Sequence, residues 1–139
     1  MTEYECRCLL LQLGAALGLA DPQRLADQRQ AVLDGLNLHL LFDATQHPDR
    51  LLLHVELGEI PPRQLALALE RLMRLNLLSG SKTTGVFALA PFGTQALYAV
   101  HLFDLQRRTP AAVADGLRQH LAHALAAQAL MLAPDAAAT

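Results

Sequence analysis

A chain of 139 residues that is 53% hydrophobic but only 4% aromatic suits one compact domain with a core of Leu and Ala, 1–139 without internal boundary. Its net charge is −2 and its 11 basic residues are scattered, which gives neither nucleic acid nor anionic lipid a cationic surface. The apolar runs are too broken to insert in a bilayer, and Met-Thr-Glu-Tyr-Glu lacks signal-peptide character, so a cytoplasmic location is expected.

Tyr4–Leu17 reads as a helix, with Cys6, Leu9 or Leu10, Leu13 and Leu17 at helical spacing and Gly18 as its stop. Leu9, Leu10, Leu11, Leu13 and Leu17 crowd more apolar area into this segment than one stripe requires. Cys6 and Cys8, two positions apart, point away from each other on a helix and are expected as free thiols. Asp21-Pro22 opens a linker, and Gln30–Asp34 is a short strand that Gly35 connects tightly to Leu36.

From Leu36 the apolar period is two. Leu36, Leu38, Leu40 and Phe42 alternate with Asn37, His39, Leu41 and Asp43; beyond a loop at Ala44–Asp49, Leu51, Leu53, Val55 and Leu57 alternate with Leu52, His54 and Glu56. Setting Asp43 opposite Arg50 places Leu38 on Val55, Leu40 on Leu53, Phe42 on Leu51 and His39 on His54. One face is then wholly apolar and the other mixed, a sorting that a one-residue slip would destroy.

Gly58-Glu59-Ile60-Pro61-Pro62 closes the hairpin and starts a helix, because Pro is accepted in a first helical turn. Between Arg63 and Leu78, Leu65, Leu69, Leu72 and Asn76 form one stripe, widened by Ala68 and Leu75. Leu67, Met73 and Leu78 lie outside it, so this helix needs cover on two sides, the second from a copy of itself. Ser79-Gly80-Ser81 reads as a loop. Val86–Ala90 and Leu97–Leu105 form a second hairpin around Pro91-Phe92-Gly93-Thr94. Thr109 and Pro110 start a last helix that runs to about Leu132, with Val113, Leu117, Leu121, Ala124 and Leu125 buried and Ala133–Thr139 a frayed tail. The order α-β-β-β-α-β-β-α predicts an α+β fold: an antiparallel sheet of about five strands with three helices.

The inventory for catalysis is poor. His39 and His54, with Glu56 along the same face, could begin a metal or ligand site, but a metal needs a third and usually a fourth donor. His101 lies on another strand; His39 and His54 are more simply half-exposed strand histidines, and His120 and His123, three apart on the last helix, solvated helix residues. Cys6-Arg7-Cys8 is not a redox motif, no Gly-rich phosphate loop follows a strand, and the only serines are Ser79 and Ser81. The positive signal is surplus apolar surface on the first helix and at Leu41 and Leu52 of the mixed face. It fits a dimer that offers hydrophobic grooves to a partner segment, with a small metal- or ligand-binding protein or a self-assembling subunit as other classes.

Leu57–Pro61 (Leu-Gly-Glu-Ile-Pro), a helix ending Leu72-Met73-Arg74-Leu75-Asn76-Leu77, and Gly85-Val-Phe-Ala-Leu in the next strand carry a likeness. In order and spacing the chain, from about Tyr4 to Leu132, resembles the type III secretion chaperones of the CesT/SycE type. The resemblance implies a cytosolic homodimer without enzymatic activity or cofactor, which holds the N-terminal segment of a secreted effector in extended form. It implies a dimer interface on Leu65, Leu67, Leu69, Leu72 and Met73. Effector-binding grooves would lie on Leu9, Leu10, Leu11, Leu13 and Leu17 of the first helix and on Leu41 and Leu52 of the sheet. The secretion ATPase is a further candidate partner.

Overall fold

The computed structural model describes residues 1–79 and 85–134. Helix α1 (Glu3–Ala16) begins at Thr2, whose hydroxyl accepts the Glu5 N–H at 3.1 Å, and carries Glu3 and Glu5 in the turn where the helix dipole favours negative charge. Gly14 sits inside this helix because the chain returns over it: a Cβ there would lie 2.9 Å from Pro22.

Pro22 opens helix α2 (Pro22–Gln28), which corrects the expected linker and raises the helix count among the described residues from three to four. Asp21 is its N-cap, accepting the Arg24 N–H at 3.3 Å, and Leu25 and Ala26 are buried. Seven residues are too few to display a helical period, although Asp-Pro is an N-cap and first-turn pair. Ion pairs Arg7–Asp27 and Arg29–Glu3 tie α2 and its end to α1.

Strands β1 (Gln30–Leu33) and β2 (Leu36–Asp43) pair antiparallel through a two-residue turn at Asp34 and Gly35, with φ of 53° and 77°. Two positive φ values define a type I′ turn, whose twist matches that of the strands. The Leu40 N–H donates to Arg29 C=O at 2.8 Å, and by the alternation of an antiparallel ladder the main-chain groups of Gln30 and Val32 point outward.

Strand β3 (His47–Glu59) pairs with β2 in the expected register, Leu38 on Val55, His39 on His54 and Leu40 on Leu53, with Leu41 on Leu52. Beyond Leu41 the register shifts. Asp43 faces His47, not Arg50, and the Phe42–Leu51 pair is absent. The Asp43 carboxylate accepts the N–H groups of Thr45 and Gln46, both at 3.0 Å, and so tightens the expected six-residue loop to Ala44–Gln46.

The sheet is completed by β4 (Val86–Leu89) and β5 (Gln95–Phe103) in the order β1-β2-β3-β5-β4, antiparallel throughout. A bulge between Glu56 and Gly58 interrupts β3–β5, and the Leu57 carbonyl accepts from Gln128 Nε2 at 2.9 Å. Gln128 belongs to helix α4 (Pro110–Met131), capped by the Thr109 hydroxyl on the Ala112 N–H at 3.1 Å. Helices α1 and α4 pack together over one sheet face, where Leu38, Leu40, Leu51, Leu53, Val55, Leu57, Tyr98 and Val100 are buried. The α4 stripe continues through Ala127 and Met131, so Leu125, expected inside, is 43% exposed.

Helix α3 (Leu65–Ser79), preceded by a 3-10 turn at Pro62–Gln64, packs against α4 and β4. Ser79, expected in a loop, is the helix's last residue and buried; Gly80, Ser81 and residues 135–139 of the expected tail lie outside the described residues. The Asn76 carboxamide bonds both main-chain groups of Phe87, accepting its N–H at 2.6 Å and donating to its C=O at 2.9 Å. A side chain thereby occupies the outer edge of β4. Asn76→Ala leaves this half-buried pair of groups without those partners and should lower stability by about 1–3 kcal/mol in urea denaturation.

His120 of α4 lies 2.8 Å from the Tyr98 hydroxyl, while His123 Nε2 is buried without a hydrogen bond and its ring rests against Phe87 and Tyr98. Burial, then His123 and Arg108, hold the His120 pKa below the usual imidazole value. A depressed folded pKa means stability that is full above the unfolded value of about 6.5 and lost as pH falls through the folded one. His120→Gln should therefore flatten the decline in melting temperature between pH 7.5 and 5.5.

Candidate functional site

Three surfaces hold the residues singled out from the sequence. Leu10, Leu13 and, just past α1, Leu17 are buried in the core, which corrects the expected exposure of Leu10 and Leu17 to a partner, whereas Leu13, though buried, also lines the cleft beside Leu9. With Cys6 they form the stripe that meets the rest of the core, at spacings i, i+4, i+7 and i+11. Leu9 and Leu11 flank that stripe, half-buried.

Leu9 lines a cleft of about 280 Å³, together with Tyr4, Cys8 and Gln12 of α1 and Leu105 and Val113 of the opposing wall. The opposing wall is a 3-10 turn (Leu105–Arg107) and the start of α4, elements that nothing in the α1 sequence pattern brings to mind. Both cysteines are free thiols; Cys6 is buried and its pKa raised by that burial, while the neighbouring Cys8 side chain raises the pKa of the Tyr4 phenol.

The second surface is the sheet face turned away from α1 and α4. Leu41, 46% exposed, stands opposite the half-buried Leu52, and with Phe42, His47, Arg50 and His101 they line a cleft of about 150 Å³. Arg50 bonds Asp49 at 3.0 Å and lies 4.9 Å from the centre of the Phe103 ring. Farther along, His39 Nε2 is 3.0 Å from Glu56 Oε1, and Asn37 donates to Glu56 Oε2 at 3.1 Å. Burial, and next the neighbouring His39 and His101, depress the His54 pKa. Among the described residues, no three His, Cys, Asp or Glu side chains are grouped to hold a metal ion.

The third surface is α3. Leu72 is buried against the core, a correction to its expected place at an interface, whereas Leu65, Leu67 and Leu69 are half-buried and Met73 is 73% exposed. Leu77, 83% exposed and four residues after Met73, continues the outer stripe. Its i, i+4 spacing was visible in the sequence; its membership was masked by the apolarity of the whole helix. Leu78, with Leu75 of α3 and Leu130 of α4, lines a cleft of about 240 Å³ beside it. Arg71 joins the two helices by donating to the carbonyls of Leu130 and Met131 at 3.3 Å, and to that of Ala133.

These geometries offer concavities, the Leu41–Leu52 cleft largely apolar and the Leu9 cleft mixed, with Glu5, Gln12, Gln106 and Arg108 among its walls. Residues 8–128 match the family model of the Tir chaperone protein (CesT) family. The chain belongs to this family. Its fold is also that of solved structures, among them the crystal structure of the ExsC-ExsE complex. That likeness has a TM-score of 0.51 and 20% identity, and covers 96% of each chain. No curated protein sequence matches the chain. The five-stranded antiparallel sheet and its helices make the α+β domain expected from the element order. No helix among the described residues is long and apolar enough to cross a membrane.

Proposed function

We propose that this protein is a cytoplasmic, homodimeric chaperone that binds the N-terminal segment of a type III secreted effector in extended form and keeps it soluble for secretion. The observation that carries the reading is uncovered apolar relief on a CesT-family fold: the Leu9 cleft and the Leu41–Leu52 cleft. Apolar clefts bind by removing client side chains from water, at roughly 1.5–3 kcal/mol for each one filled, and require no chemistry. The ExsC-ExsE structure, similar in fold, is of a complex.

An extended client also has main-chain groups to satisfy. The β4 edge is occupied by Asn76, whereas Gln30 and Val32 leave the β1 edge free to take another strand. The client's main chain would then run along β1. Leu9→Asp and Leu41→Asp should each reduce capture of effector N-terminal fragments at least tenfold while circular dichroism stays unchanged, and a chelator should not affect capture. Undiminished capture by both variants would move the client elsewhere; dependence on chelator would favour a metal-dependent ligand site.

The dimer would form on α3, through Met73 and Leu77 with Leu65, Leu67 and Leu69 beside them. A charge buried there without a partner costs several kcal/mol, enough to dissociate a micromolar dimer. Leu77→Asp should therefore halve the mass seen by light scattering without unfolding the protomer, and Leu72→Asp should unfold it. A wild-type monomer at high concentration contradicts the dimer.

A further inference from the structure

The sheet face with Leu41 and Leu52 carries three imidazoles on adjoining strands. His39 is directly opposite His54, and His101 is opposite Leu52, one pleat along from His54. Few charges face this row. Glu56 is held by His39 and Asn37, Arg50 by Asp49 and the Phe103 ring, and Asp43 by its own turn, where His47 also lies. By register, the described residues of the flanking strands add Gln30, Val32, Val86 and Ala88, all uncharged. His54 is therefore central, without a carboxylate partner, and set among Leu52, Ala99 and Leu97. With neutral rings, the middle of this face offers an acidic or basic segment nothing to pair with. It suits an uncharged, apolar one.

We infer that this face is a pH-gated part of the effector surface, which holds an uncharged apolar segment while His54 and His101 are neutral and releases it when they are protonated. The inference rests on the chaperone reading and adds its regulation. Covering a protonated ring with an apolar segment strips its hydration and supplies no partner, so proton and segment compete for the face. The depressed basicity of His54 shows the same burial cost already operating in the uncovered protein. An imidazole that must shed its proton to be covered weakens binding as the pH falls and the proton becomes harder to remove. His39 contributes less, because Glu56 can neutralise its charge.

The test uses the full-length protein and a blocked, tetramethylrhodamine-labelled nonapeptide alternating leucine and serine, which has no titratable side chain. Anisotropy should show wild-type binding about tenfold weaker at pH 5.5 than at 7.5, and the ratio should fall below twofold in the His54→Asn/His101→Asn variant. Circular dichroism should stay constant between the two pH values. Binding that is flat with pH in the wild type, an equal ratio in the variant, or unfolding in step with release would overturn the gate and leave the chaperone reading standing. Absence of binding at pH 7.5 would instead overturn the sheet face as a client surface, and the gate with it.

Discussion

Strand β3 has hydrogen-bonded neighbours on both edges, β2 on one side and β5 on the other, and this double pairing fixes the sides of the whole sheet. Leu51, Leu53, Val55 and Leu57 must all face α1 and α4, because a slip of one residue would turn them to water and bring Leu52, His54 and Glu56 into the core. Once β3 is set, register carries the choice outward. Leu38 and Leu40 follow it in β2, Tyr98 and Val100 in β5, and Phe87 in β4. Between Glu56 and Gly58 a bulge interrupts the pairing of β3 with β5, and there Gln128 reaches down from α4 to the Leu57 carbonyl.

The same device recurs where other elements end. Arg118 donates to the Leu17 carbonyl at the end of α1, Arg71 gathers carbonyls at the end of α4, and Asn76 closes the outer edge of β4. Each is a polar side chain from a different element, so backbone groups left over by one helix or strand are satisfied by its neighbour. The fold has few aromatic rings to lock its layers together, and these polar links position helices that leucine and alanine alone would hold less specifically.

Long-period features were legible in the sequence and short ones were not. The strands and the His39–His54 register could be read because period-two alternation extends over many residues on both sides of the hairpin. Helix α2 could not, since Leu25 and Ala26 make too short a stripe, and the Asp43 turn could not, because a single carboxylate outcompetes the register beyond Leu41. On α1 and α3 the difficulty was excess. With leucine at 9, 10, 11, 13 and 17, the sequence offers several equivalent faces, and only packing decides that 10, 13 and 17 go inward. Leu72 and Leu77 on α3 differ in fate for the same reason: apolarity alone does not distinguish a buried residue from an exposed one.

That ambiguity has a physical origin. A chain that buries one apolar set in its own core and leaves another on its surface writes both in the same residue types. The two sets then differ only in whether an element of the chain covers them. Here α4 and the sheet cover Leu10, Leu13 and Leu72, while Leu9, Leu41, Met73 and Leu77 retain surface. An exposed leucine by itself is ordinary, but these residues lie in clefts or on a continuous helical stripe. A surface of this kind recognises shape and apolarity more than a particular sequence, and it is compatible with a client held unfolded. In the reading proposed above, the outward main chain of β1 and the imidazole row would lend direction and conditionality to a surface whose affinity would come from leucine.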